Sequence, residues 1–279
     1  MTRRALAASA IRTATVLRSR LGYGPGDAVC PFDIAQRLGV EVQFLAAPSL
    51  EGMYASNQRA IVVNCLRPSG RRRYTCAHEL GHHLHGHGTS FDGEGELVAD
   101  RAEEFVANQF ARALLMPKLA VAAAFARRRW MPVSATAEQV FVVAQDLGVG
   151  FLTLLAQMSS SLNLLHAADA DRLAKTKLPA LRERFVQSDV EHDVFHVDAH
   201  WGTPPLDLEV GDLVLVSPPA GRFKGACLLQ SGFGRLRAVT PGKGELCVVG
   251  RPTPIHVGVS RREFAGRAIY RHLEEVADE

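Results

Sequence analysis

Three residues near position 80 have the types and spacing of a hydrolytic metal site. His78, Glu79 and His82 form the pattern His-Glu-x-x-His in a segment whose composition predicts a helix. Residues four apart lie on one face of a helix, so both imidazoles can reach one metal ion. A zinc ion lowers the pKa of its bound water, and Glu79 can accept a proton as that water attacks a carbonyl. The pattern therefore predicts His78 and His82 as ligands and Glu79 as general base.

A third protein ligand is needed, because catalytic zinc sites combine three ligands with one open position. Glu104 and Asn108 lie four residues apart on the next predicted helix. We expect Glu104 to complete the site and Asn108 to hydrogen-bond a ligand and fix its orientation. On spacing alone, the neighbouring Glu103 and a plain surface role for Glu104 remain alternatives.

Other side chains near the motif each have a functional and a structural interpretation. Tyr54 and Tyr74 are candidate donors to a transition-state oxyanion, although core packing explains both as well. His83, His85 and His87 either modulate metal loading or face solvent and cap the helix end, where an imidazole suits the helix dipole. A His-rich surface helix without a catalytic role is the structural alternative for the whole segment.

Two more groups of residues have types that could bind a ligand. His192, His196 and His200 recur every four residues and could hold a second metal, but the neighbouring valines favour a strand with polar surface histidines. Arginines occupy residues 71–73 and 127–129. Solvated helix faces are the simpler interpretation of these arginines than contacts with nucleic acid.

Composition restricts the class of protein. The chain has 279 residues, of which 47% are hydrophobic and 22% charged, with a net charge of +3. These values are typical of one or two folded domains and do not require a nucleic-acid partner. The five cysteines are odd in number and form no CxxC pair, which favours reduced thiols in a cytoplasmic protein. No run of 18 apolar residues predicts a membrane span.

Apolar periodicity and breaker residues predict helices first and strands last. Helices are predicted at about residues 5–21, 31–38, 71–85, 96–115, 120–129, 135–147 and 151–165. Ser134 is the expected N-cap of the helix at 135–147. Short strand-like runs at 40–45, 53–55 and 60–63 predict a small antiparallel sheet. From about residue 186, Val/Leu runs separated by Pro and Gly predict a β-rich region.

Several motifs together carry a family resemblance. They are Glu51-Gly52-Met53-Tyr54, Ile61-Val62-Val63-Asn64, Tyr74-Thr75-Cys76-Ala77-His78-Glu79-Leu80-Gly81-His82, Glu104-xxx-Asn108 and Phe110-Ala111-xx-Leu114-Leu115-Met116-Pro117. Over roughly residues 10–165, this set resembles the ImmA/IrrE family of metallopeptidases.

The resemblance implies a bacterial or phage-encoded intracellular peptidase with a gluzincin-like zinc site. By the matched motifs, His78, His82 and Glu104 would be the ligands and Glu79 the catalytic residue. Manganese or iron remain alternatives to zinc, because affinity order alone does not decide occupancy. The implied substrate is a helix-turn-helix repressor encoded nearby, whose cleavage releases a stress, DNA-damage or mobile-element response.

Together these observations predict an α+β protein with four regions. A mainly helical metallopeptidase core with a small antiparallel sheet spans 1–118, a helix-turn-helix-like extension 119–165, a connector 166–186 and a β-rich domain of unknown role 187–279. Two other functions remain open. One is a non-catalytic metal-binding regulator that binds a repressor or DNA, and the other is a toxin–antitoxin partner that uses the peptidase fold as a binding platform.

Overall fold

The computed structural model describes residues 2–93, 102–186, 191–217 and 221–273, and the chain divides into two units. The first unit consists of Met1–Ala123, Leu147–Gly150 and Ala265–Ile269. The second consists of Ala124–Asp146, Phe151–Phe264 and Tyr270–Glu279. The boundaries predicted from the sequence at 118, 165 and 186 stay predictions.

The first unit combines helices with one sheet. Its helices are α1 (Arg3–Arg20), α2 (Pro31–Arg37), α3 (Ser69–His85), α4 (Ala102–Leu115) and most of α5 (Lys118–Arg127). Two glycines with left-handed backbone, Gly39 (φ 68°) and Gly86 (φ 68°), follow α2 and α3. Glycine adopts this conformation without steric cost, so both helices end where the sequence predicts. The predicted start of α4, at residues 96–101, lies outside the described residues.

The sheet of the first unit is mixed, so the prediction of an antiparallel sheet was wrong in this respect. The strands are β1 (Glu41–Leu45), β2 (Leu50–Ala55), β3 (Ala60–Asn64), β4 (Ser90–Gly93) and β13 (Gly266–Arg267), in the order β13-β1-β3-β2-β4. The turn at Ser56–Gln58 makes β2 and β3 an antiparallel hairpin. Strand β1 pairs with β3 rather than with β2 and is parallel to it. Short strand-like runs do not reveal which neighbours pair.

The described residues of the second unit form four further helices. These are α6 (Ala137–Leu147, whose last residue belongs to the first unit), α7 (Phe151–Ser160), α8 (Ala167–Ala174) and α9 (Leu178–Val186). The expected cap Ser134 lies instead in a 3-10 turn that begins at Pro132. Thr136 is the cap. Its hydroxyl accepts the Gln139 N–H, and the Gln139 side chain accepts the Thr136 N–H. This reciprocal capping box satisfies two donors at the helix start.

The β-rich region predicted after residue 186 forms two sheets. One has the order β5-β7-β10-β9 and the other β6-β12-β11-β8. Their strands are β5 (Val194–Asp198), β6 (Leu206–Glu209), β7 (Leu213–Ser217), β8 (Gly221–Lys224), β9 (Leu228–Gln230), β10 (Arg235–Ala238), β11 (Gly242–Val248) and β12 (Ile255–Ser260). Val214 and Leu236 from one sheet share a buried core with Leu246 and Val257 from the other.

The predicted α+β class is confirmed: helices dominate the first half of the chain and strands the last third. None of the five cysteines forms a disulfide. Within the described residues, Ala102–Arg127 is long and apolar enough to cross a membrane by length and composition. Half of its apolar window is buried inside the protein, as is common for a core helix.

Candidate metal centre

The metal site is built on helix α3, which places its two histidines one turn apart. His78 and His82 are buried, and their Nε2 atoms lie 3.1 Å from each other. Glu104 reaches both from α4. Its Oε2 lies 3.1 Å from Nε2 of His78, and its Oε1 lies 3.3 Å from Nε2 of His82. The structure therefore brings together the three residues that the sequence singled out as ligands.

These three side chains fit a zinc ion. Donor atoms around a tetrahedral zinc with bonds of about 2.0–2.1 Å lie about 3.3 Å apart, close to the separations seen here. Two imidazoles and one carboxylate are also a ligand set that zinc uses in catalytic sites. Among the residues that the structure describes, this is the one group of His, Cys, Asp or Glu side chains close enough to share an ion.

The charge state of Glu104 suits a ligand. Burial by itself raises the pKa of this carboxyl, but the hydrogen bonds and charges of His78 and His82 outweigh burial and lower the pKa to about 2. Glu104 is therefore ionised at neutral pH, and its oxygens are available as acceptors.

A glycine lets the two helices approach closely enough for this contact. A Cβ at Gly81 would lie 2.9 Å from Cα of Ala107 and 3.2 Å from the Ala107 carbonyl oxygen. The absence of a side chain at Gly81 thus permits α4 to approach α3 closely. Since Gly81 lies between the two histidines, this close contact of α4 with α3 falls next to the site.

Asn108 acts on the main chain of α4 rather than on a ligand side chain. Its amide Nδ2 donates to the Glu104 carbonyl oxygen at 3.0 Å, and its Oδ1 accepts from the Tyr74 hydroxyl at 3.1 Å. Burial raises the pKa of Tyr74, against the opposing effect of Arg112, so the hydroxyl stays a donor. Tyr74 and Asn108 thus tie α3 to α4 one turn from the ligands.

Strand β2 packs on a second face of α3 and meets Glu79 there. Glu79 is fully buried. A Cβ on Gly52 would lie 2.3 Å from Cγ2 of Thr75 and 3.0 Å from Oε1 of Glu79. Two residues along β2, the Tyr54 hydroxyl lies 2.7 Å from Nδ1 of His83. Because positions 75, 79 and 83 share one helical face, β2 follows that face past the predicted general base.

The remaining histidines make different contacts, depending on where they lie in the fold. His85 points Nδ1 at the Gly81 carbonyl oxygen, 2.9 Å away, and so caps the helix. His87 lies against His82, with 3.0 Å between their Nδ1 atoms. His192, His196 and His200 do not come together as a group that could hold an ion. His196 lies in strand β5, as expected from the alternative interpretation that the neighbouring valines favour a strand.

The contacts of Gly52 and Thr75 beside Glu79 were not predicted from the sequence. For His87 the sequence indicated a role in metal loading or at the helix end, but not its contact with His82. The contact of Gly52 depends on β2 packing across α3, which no local pattern shows. His87 had a usable signal, because a glycine at a helix end predicts how the next residue turns back.

Comparison with known proteins gives a match to one family profile. Residues 35–159 match the profile of a peptidase family described as the IrrE N-terminal-like domain. No curated protein sequence matches the chain significantly. Among solved structures, a Mycobacterium tuberculosis transcriptional regulator is similar, with 19% identity and a TM-score of 0.37. The similarity covers 56% of this chain and 46% of that one, so it spans less than half of the regulator.

Proposed function

We propose that the chain is a zinc-dependent endopeptidase acting in the cytoplasm, from the premise that residues 35–159 match the profile of the peptidase family described as the IrrE N-terminal-like domain. The observation that carries the proposal is the convergence of His78, His82 and Glu104 beside the buried Glu79. The match to a peptidase family and the ligand set suited to catalytic zinc both support this chemistry.

The residues of the site have separate tasks. His78, His82 and Glu104 would hold the ion, and Tyr74 and Asn108 hold the two helices that carry them in register. When bound, zinc supplies Lewis acidity, which lowers the pKa of water and polarises a peptide carbonyl. Glu79 accepts the proton of the attacking water and passes it to the leaving amine. Thr75 and Gly52 confine the Glu79 carboxylate on the side of β2.

The proposed substrate is a helix-turn-helix repressor encoded near this chain, cleaved during a stress, DNA-damage or mobile-element response. The resemblance of residues 10–165 to the ImmA/IrrE family supports this substrate class. The role of the β-rich region stays outside the proposal.

The alternative of a DNA-binding regulator was motivated by the two arginine clusters and by the helices at 120–160. Several of these arginines make contacts within the protein. Arg71 pairs with Glu51 at 2.9 Å, and Arg72 lies over the Phe44 ring. Arg73 is buried. In the second cluster, Arg128 is buried in ion pairs. These contacts engage part of both clusters, whereas Arg129 is exposed, so DNA binding stays the alternative function.

The decisive experiment mixes the protein, zinc and the repressor encoded beside it. We expect cleavage by the wild-type protein. Replacement Glu79→Gln should leave zinc affinity unchanged and lower the cleavage rate by about 10²–10⁴-fold, because a positioned general base contributes about that much. The matched control is Glu103→Gln, the same change at an exposed carboxylate near the ligand Glu104. Unchanged cleavage by Glu79→Gln would reject the mechanism.

A further inference from the structure

The segment after α3 returns a histidine to the metal site. His87 lies two residues beyond the end of α3, and its ring meets the ring of His82 edge to face, with centroids 5.1 Å apart. Building on the proposed zinc site, we propose that His87 is the positioning residue for His82. It accepts the Nδ1–H of His82 and so holds that ring with Nε2 toward the ion.

The backbone fixes this contact. The Gly86 N–H donates to the His83 carbonyl oxygen at 3.3 Å, and the His87 N–H donates to the His82 carbonyl oxygen at 3.1 Å. These two bonds, with Gly86 in the left-handed conformation, form a Schellman motif. The motif places the residue after the glycine against the residue five positions earlier, commonly as an apolar contact. Here that pair consists of two imidazoles.

The protonation pattern follows from the geometry of His82. Its Nε2 faces Nε2 of His78 and Oε1 of Glu104, so this nitrogen needs a lone pair to bind an ion. A neutral imidazole then carries its proton on Nδ1. That N–H points at Nδ1 of His87, 3.0 Å away, which accepts when the proton of His87 is on Nε2.

The same geometry separates His87 from the ligands. The two nitrogens of His82 point away from each other, so His87 lies on the side of the His82 ring opposite the ion. Ligand histidines in zinc sites usually donate their second N–H to a carboxylate, a carbonyl or water, and such partners set tautomer and orientation. An imidazole takes that place here. His83 and His85 do not act as the partner of His82, because their Nδ1 atoms face Tyr54 and the Gly81 carbonyl.

The test measures zinc affinity of the full chain by chelator competition, together with the visible spectrum of the cobalt-substituted protein. His87→Ala and His87→Phe should each weaken zinc binding by about 10–100-fold, the usual effect of losing such a partner. The Phe variant keeps ring packing but has no acceptor. His87→Asn, whose Oδ1 can replace Nδ1 as acceptor, should restore most of the affinity. The control His85→Ala removes a neighbouring imidazole and should leave affinity unchanged.

Three outcomes would overturn the inference: wild-type affinity in His87→Phe, equal losses in His87→Asn and His87→Ala, or an equal loss in His85→Ala. In the cobalt protein, we also expect His87→Phe to speed solvent exchange of one ligand N–H, since its acceptor is gone; an unchanged exchange rate would contradict the assignment. Failure of the wild-type protein to bind zinc would reject the proposed function itself, whereas tight binding that is insensitive to position 87 would reject this inference alone.

Discussion

At the scale of single residues, the position of the proposed general base Glu79 depends on a glycine, Gly52, which has no side chain. Strand β2 runs close to Glu79 at Gly52, where any side chain would overlap Thr75 and press on the Glu79 carboxylate. A carboxylate that moves a proton must keep its position relative to the attacking water, and small displacements are costly for such groups. Gly52 therefore contributes to the site through the space that it leaves.

Replacing Gly52 with alanine tests this role. The added Cβ would lie 2.3 Å from Cγ2 of Thr75, so β2 or α3 must shift. We expect a stability loss of about 1–3 kcal/mol, as for overpacked cores, and at least about tenfold slower cleavage. Activity assays and thermal unfolding measure the two effects. Gly88→Ala is the matched control, because its Cβ would meet nothing within 4 Å. Full activity in Gly52→Ala would contradict the argument.

The residues that the sequence could identify are those whose partners are close along the chain. His78, Glu79 and His82 follow from helical spacing alone. Glu104 required a choice among nearby carboxylates, and its position 3.1 Å from His78 agrees with that choice, although its role as a ligand stays a prediction. Gly52 could not be identified, because its contact arises only when a strand crosses a helix 23 positions further along.

At the scale of elements, the site requires α3 and α4 to approach more closely than side chains normally allow. Gly81 meets Ala107 at backbone distance, and the two ligands on α3 flank this point of contact. Any increase in the separation of the helices would move Glu104 away from both imidazoles.

The substitution Gly81→Ala distinguishes the effect of helix propensity on stability from the effect of packing between α3 and α4. Alanine favours an isolated helix over glycine by about 1 kcal/mol, so propensity alone predicts a more stable protein. The Cβ would lie 2.9 Å from Cα of Ala107, a contact with backbone that cannot rotate away. We therefore expect lower stability and weaker zinc binding, measured by thermal unfolding of the metal-free protein and by chelator competition. Increased stability with unchanged zinc affinity would show that the helices adjust freely.

Elements were predictable from the sequence where local signals define them. The glycines after α2 and α3 end both helices as predicted. Strand pairing was not predictable, since the parallel pairing of β1 with β3 depends on the path of the whole segment. For the cap of α6, the sequence supported Thr136 better than Ser134, because Thr136 and Gln139 have the Ser/Thr-x-x-Glu/Gln spacing of a capping box and Ser134 has alanine at that spacing.

At the scale of the whole molecule, the arginines at 127–129 show how distant residues change an interpretation. The sequence favoured a solvated face for them. Arg128 instead donates to Asp146 at 2.8 Å and to Asp198 at 2.8 and 3.0 Å, and its side chain is nearly inaccessible. Asp198 lies 70 positions away, so no local pattern could have indicated this pair. The helical residues 124–146 and the β-rich region thereby share one buried ion-pair network.

This network gives a test of whether the second unit is stabilised separately from the metal site. Asp146 is fully buried and accepts the Gly202 N–H as well as Arg128. Asp146→Ala removes one of the two carboxylates that pair with the buried Arg128 and leaves the Gly202 N–H without its acceptor. We expect this change to lower the free energy of unfolding by about 3–5 kcal/mol. Asp169→Ala, which removes an exposed pair with Arg172, should cost less than about 1 kcal/mol.

The chain offers a separate signal for each unit. Its two tryptophans, Trp130 and Trp201, both lie in the second unit, whereas the proposed ligands lie in the first. Denaturant unfolding followed by tryptophan fluorescence should therefore shift strongly in Asp146→Ala, while zinc affinity in the absence of denaturant stays at the wild-type value. A parallel loss of zinc affinity would show that the ion pairs of the second unit also hold the metal site, and an unshifted fluorescence transition would show that the buried network adds little stability.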